Sequence, residues 1–197
     1  MTTKSGGLYA GRRACENALH AVRYVAEIGR PLNTHVTISF TALGVDDEEA
    51  GALFKHLQAR VGRWWRDQRE RKGIPIGQVL GFHCHANPSG SRHVHWALHV
   101  PLEIRPAFEA IIRARLCKIL KRDDLGDGLH IGSIETAGTL AKYMLRGIEP
   151  EYAAYLHIEA ANEGYVAGCR RTGVSRAASK AQRVRDGWVR KRRLSRQ

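Results

Sequence analysis

Five of the chain's ten histidines fall between positions 83 and 99, in two runs with one pattern. Side chains alternate along a strand, so in the run from His93 to Val100 the apolar Val94, Trp96, Leu98 and Val100 share one face. His93, His95, Ala97 and His99 share the other. In the preceding run Leu80, Phe82 and Cys84 can pack while Gly81, His83 and His85 point away. Imidazoles two residues apart on a strand have Cβ atoms about 6–7 Å apart, a spacing from which both reach one divalent cation. The expected chemistry is a metal site made by His85, His93 and His95, with His83 as a further candidate, on the open face of a sheet. His99 falls one step beyond the cluster. Imidazole donors leave zinc, manganese, nickel and iron open.

A second group able to do chemistry lies downstream. Tyr143 is followed one helical turn later by Arg146, on the same helix face. Cleaving a phosphodiester while conserving its energy requires a protein nucleophile, and a phenol attacking phosphorus leaves a phosphotyrosine that a free 3′-hydroxyl can reverse. A phenol with its ordinary pKa near 10 needs a polarised phosphate and nearby positive charge, which Arg146 can supply. Tyr152 and Tyr155, three residues apart, are rival or second nucleophiles without a following basic residue.

His93-Val94-His95 resembles the His-hydrophobe-His motif of HUH endonucleases, the single-strand nicking enzymes of rolling-circle replication, conjugation and some transposition. In the family's replication initiators a third ligand commonly lies shortly before the first histidine, on the neighbouring strand. His85 stands there in place of the usual carboxylate or glutamine. Thr37-Ile38-Ser39-Phe40-Thr41 is similar to the family's upstream apolar strand, and Tyr143-Met144-Leu145-Arg146 to its Tyr-x-x-Lys motif with arginine for lysine. The resemblance covers residues 34–148. It implies a metal-dependent nickase and strand transferase, a plasmid or phage replication initiator. Its cofactor is a divalent metal ion, Mn or Mg with Zn and Ni as alternatives. Its partners are single-stranded DNA (an origin or hairpin) and a host helicase.

The elements that must position these groups follow from periodicity. Apolar positions at helical spacing predict a helix over 12–29, closed at Gly29 before Pro31. Alternation predicts a strand over 34–40, and an acid-rich start at 46–49 opens a long helix to about Arg71. Strands over 76–86 and 92–100 flank Asn87-Pro88-Ser89-Gly90-Ser91, which predicts a hairpin with a loop of about five residues. Helices over 106–121, 139–146 and 150–160 and a strand near 130–135 complete the pattern. This order predicts an α+β fold: a mostly antiparallel central sheet with helices on one face and the histidine site on the other.

Thirty-two Lys and Arg against 19 Asp and Glu give a net charge of +13, and residues 170–197 hold eleven of these basic groups against Asp186 alone. Composition therefore predicts an ordered domain over 1–163, the catalytic domain that the resemblance implies, and a basic, flexible nucleic-acid-binding tail over 164–197. There Arg170, Arg171, Arg176, Lys180, Arg183, Arg190, Lys191, Arg192 and Arg193 would clamp phosphates, and Trp188 would stack on a base. At 197 residues the chain has no room for a second large module, so strand separation falls to another protein. No run approaches 18 apolar residues and the first residues lack an apolar leader, which predicts a cytoplasmic protein without a membrane partner. Four scattered cysteines without a C-x-x-C pattern predict reduced, structural thiols.

Other readings compete. A non-catalytic basic nucleic-acid-binding protein with a structural histidine metal site would show salt-sensitive binding without nicking. A cupin needs a barrel that these helices argue against, and a histidine-triad hydrolase needs a third histidine where Ala97 stands.

Overall fold

A computed structural model describes residues 6–188. Helix α1 (Arg12–Glu27) leads to strand β1 (Thr34–Ser39), and Asp47, Glu48 and Glu49 then open α2 (Asp47–Glu70), where acids complement the helix dipole. Strands β2 (Leu80–Ala86) and β3 (His93–His99) follow. Pro106 sits in the first turn of α3 (Arg105–Leu120), which stops at Lys121 in the left-handed conformation. Strand β4 (Leu129–Ser133), α4 (Ala137–Met144), α5 (Pro150–Leu156), β5 (Thr172–Val174) and α6 (Lys180–Arg185) complete the chain.

The five strands form one antiparallel sheet in the order β4-β1-β3-β2-β5, an α+β fold. On one face Val36, Ile38, Val94, Trp96 and Leu98 pack against Phe54, Leu57, Val61 and Trp65 of α2 and Phe108, Ile112 and Leu116 of α3. The α2 residues recur every three or four positions, one helix stripe. Trp65 is buried there and donates from Nε1 to the Gly77 carbonyl. The sequence predicts helices on this face alone, and the structure adds a cover to part of the other. Leu80, Phe82, Cys84 and Ala97 pack against Cys15, Ala18, Ala21 and Val22 of α1 and Ala141 and Met144 of α4. The small residues of α1 permit that close approach.

The hairpin register changes the histidine pattern. Ala86 pairs with His93, so six residues, 87–92, connect the strands rather than five. Directly opposed residues share a face, and one added residue inverts the parity of the whole strand. His85 therefore pairs with Val94 and His83 with Trp96, on the α2 side, while His93 and His95 face the α1 and α4 side. The added residue is Arg92, fully buried, whose backbone N–H donates to Thr41 Oγ1 and whose carbonyl accepts from the Phe40 N–H.

The basic segment is also placed differently. Strand β5 pairs with β2, Phe82 opposite Val174 and Cys84 opposite Thr172, so the basic segment contributes an edge strand to the sheet instead of trailing free from residue 164. Tyr24 donates its hydroxyl to Asp186 at 2.5 Å and Trp188 donates from Nε1 to Glu27, which fasten the end of this segment to α1. All four cysteines are free, and among the described residues no helix is long and apolar enough to cross a membrane.

Candidate active site

Alternation on β1 buries Val36 and Ile38 and turns His35 and Thr37 to the opposite face. In the register Thr37 lies between His95 of β3 and His130 of β4, so His130, Thr37 and His95 form a row across three strands. His35 Nε2 is 3.1 Å from His95 Nδ1, and the Thr37 hydroxyl is 3.1 Å from that same nitrogen. The His93 and His95 ring centres are 4.7 Å apart, those of His35 and His95 5.1 Å.

Helix α4 brings Tyr143 to this row. Its ring meets His95 edge-on at 5.7 Å between centres and stays 45% exposed, so the phenol is accessible beside the histidines. The Arg146 guanidinium carbon lies 4.2 Å from the Tyr143 ring centre, a cation–π contact, and Arg146 NH2 pairs with Glu163 at 2.8 Å. Tyr143 and Arg146 thus lie on the sheet face of His93 and His95.

Burial, with His93, His35 and Arg146 nearby, pushes the His95 pKa down to about 3, and burial with His130 lowers that of His35. Both rings are neutral at pH 7 and keep a lone pair. The Ser91 carbonyl can only accept, so His93 donates to it from Nδ1 at 2.7 Å and leaves Nε2 outside that bond. Burial raises the thiol of Cys84, opposite His95 on the same face, to about 12.

These donors suit a divalent cation in type and ring spacing. Metal–nitrogen bonds near 2 Å place the ring centres of two imidazoles on one ion about 4.5–5.5 Å apart, the range seen for both pairs. The nitrogens do not yet converge. Among the described residues no three His, Cys, Asp or Glu side chains close on one point.

The remaining sequence-derived ligands lie elsewhere. His85 is 2% exposed on the opposite face, between Phe54 and Phe40, with ring centres 5.3 and 6.3 Å away. His83 also meets Phe54, at 4.9 Å. On this face His35 lies beside His95, and His130 lies across Thr37 on the next strand but one. Alternation over Thr34–Ser39 already carries His35, whereas β4 has too weak a pattern to orient His130.

Tyr152 and Tyr155 are not at the histidine row. They flank Arg12, whose guanidinium carbon is 5.7 and 4.6 Å from the two ring centres. A hydrogen bond to Glu151 raises the Tyr152 phenol, opposite to a nucleophile's need.

Of the basic residues assigned to nucleic acid, Arg170, Arg176 and Lys180 are exposed. Arg171 is buried and donates to the carbonyls of His85, Glu163, Gly164, Gly7 and Leu8, and Arg183 is buried against the Ala178 carbonyl and Asn17. These two are structural. Trp188 is half-buried against Tyr24 and His20. Arg190, Lys191, Arg192 and Arg193 lie outside the described residues. No protein-family model matches the chain, and no curated protein matches it.

Proposed function

We propose that the protein is a metal-dependent single-stranded DNA endonuclease and strand transferase acting through Tyr143. The observation carrying this reading is the exposed Tyr143 phenol, held by α4 against His95 on the face that also bears His93 and His35. That juxtaposition joins residues 48 positions apart in the two motifs of the HUH resemblance.

In the proposed reaction the Tyr143 oxygen loses its proton to solvent and attacks phosphorus. The new oxygen–phosphorus bond forms as the bond to the 3′-oxygen breaks, and that oxygen takes a proton from water. The product is a 5′-phosphotyrosine and a free 3′-hydroxyl, and attack by a 3′-hydroxyl reverses the step. Arg146 supplies positive charge beside the phenol for the incoming phosphate, in exchange with Glu163. His35, His93 and His95 would hold the cation, Mn or Mg. A divalent ion there would polarise the phosphate oxygens and neutralise charge developing on them. The biological setting consistent with this chemistry is rolling-circle replication in the cytoplasm, with a host helicase opening the strands.

The test is incubation with single-stranded oligonucleotides and Mn²⁺ or Mg²⁺, reading a denaturant-resistant protein–DNA adduct. Formation of the adduct supports the proposal. Its absence, with salt-sensitive binding retained, supports a non-catalytic nucleic-acid-binding protein instead.

A further inference from the structure

At the β5 edge of the sheet, α1, α2, β5 and α6 enclose an open groove of about 1240 Å³. Its rim is cationic. Arg13 of α1, Lys55 of α2, Arg170 before β5 and Lys180 of α6 line it and are exposed, and among the described residues none of the four pairs with a carboxylate. Glu16, the one acid in the lining, is bound to Arg12 at 2.9 Å.

The floor is of another kind. Phe54, His83, His85 and Gln58 form it, and the Gln58 amide nitrogen is 3.3 Å from His83 Nδ1. His85 Nδ1 is buried and has no hydrogen-bond partner, although its ring lines the groove. A buried polar atom without a partner is uncommon in a folded protein. Gly173 shapes this floor, since a Cβ there would run into the His83 ring.

We infer that this groove binds a nucleotide unit of single-stranded nucleic acid, with an unpaired base on the floor and adjoining phosphates on the rim. Aromatic edges, neutral imidazoles and a carboxamide offer the donor and acceptor groups a base edge requires, and four unpaired cations match a polyanion. Bases stacked inside a duplex cannot reach a recessed floor, so the chemistry selects single strands. The groove deepens the proposed substrate class and remains separable from nicking, because none of its residues contacts Tyr143.

The experiment uses the full chain carrying Tyr143→Phe, in EDTA, so that binding is read without cleavage. A fluorescent single-stranded oligonucleotide is titrated at several salt concentrations, alongside the same sequence as a duplex. Lys55→Glu combined with Lys180→Glu should weaken single-strand binding about tenfold or more and lower the salt slope by about 0.7 per lost phosphate contact. Gln58→Ala should reduce discrimination between homopolymers while leaving the salt slope unchanged. Single-strand affinity unaltered by the double charge reversal, with the melting temperature intact, overturns the assignment. So does equal competition by poly-glutamate, which would make the groove an acidic-peptide site, or complete displacement by millimolar inorganic phosphate, which would reduce it to an adventitious ion only. Wild-type protein that binds through the groove but never forms an adduct refutes the nickase and leaves the groove standing.

Discussion

The two faces of the sheet carry the same motif, histidines two residues apart on adjoining strands, and treat it in opposite ways. His83 and His85 lie under α2 among Phe54, Phe40 and Trp96, where the aromatic packing of the core surrounds them. His93 and His95 lie on the other face beside His35 and an exposed phenol. One motif contributes to a wall, the other to a candidate reaction centre. Composition does not separate them. The length of one connection does, because residue parity across an antiparallel hairpin follows from the number of residues between the paired ends.

The sharpest way to break this contrast is Tyr143→Phe, which removes one hydroxyl from the face of His93 and His95. Adduct formation should be lost, by more than about 1000-fold, while the melting temperature holds, since the ring is exposed. Tyr152→Phe with Tyr155→Phe should leave the adduct intact, and a denaturing gel separates the cases. Next in size, His95→Ala should slow cleavage about 1000-fold, the several kcal/mol a bound cation supplies, and abolish calorimetrically detected Mn²⁺ binding. His85→Ala should instead lower stability by about 2–3 kcal/mol with Mn²⁺ binding retained. A folded His85→Ala protein that no longer binds metal would reverse the assignment of the two faces. Arg146→Ala should slow adduct formation about 10- to 1000-fold, as for loss of one charge-stabilising donor, read in single-turnover kinetics.

The smallest effect concerns acid. Burial pushes His83 down to about 4, below the ordinary value near 6.5, so the unfolded chain binds its proton first as pH falls. Stability is whole above pH 6.5, declines between 6.5 and 4, and levels off below 4. Linkage caps this contribution at about 3 kcal/mol. Urea denaturation at pH 7.5, 5.5 and 4 should show the decline, and His83→Gln should make it shallower without abolishing it, because burial lowers His35, His85 and His95 as well. An unchanged slope in the variant would assign the titration to another ring.

Much of the frame was legible in the sequence, because apolar periodicity is a local property. Residues 34–40 alternate and residues 47–70 repeat at helical spacing, and both fold accordingly. The pairing of Tyr143 with the face of His93 and His95 was also legible, through a motif. Hairpin register was not, since Asn87-Pro88-Ser89-Gly90-Ser91 reads as a complete loop and a buried arginine reads as surface. Burial of Arg92 depends on tertiary neighbours that a local window does not contain, Thr41 and Cys169 among them. The same blindness made the basic segment look like a free arm. Its three-residue strand has no periodicity of its own and exists only because the edge of β2 is there to receive it.

The Arg171 guanidinium gathers carbonyls from Gly7, Leu8, His85, Glu163 and Gly164 into one knot, and Gly7 bridges Val166 beside it. This knot joins residues more than 160 positions apart, and β2 waits for a partner strand that follows it by about 90 residues. Contacts of that sequence separation form late and slowly, because a long loop must close before they stabilise anything. During synthesis, α1, β1, α2 and the β2–β3 hairpin emerge well before Arg171, leaving the outer edge of β2 unpaired and open to neighbouring chains. A nascent chain of this protein therefore passes through a long interval in which the face of His93 and His95 can form while its sheet is unfinished and the edge of β2 is open to other strands.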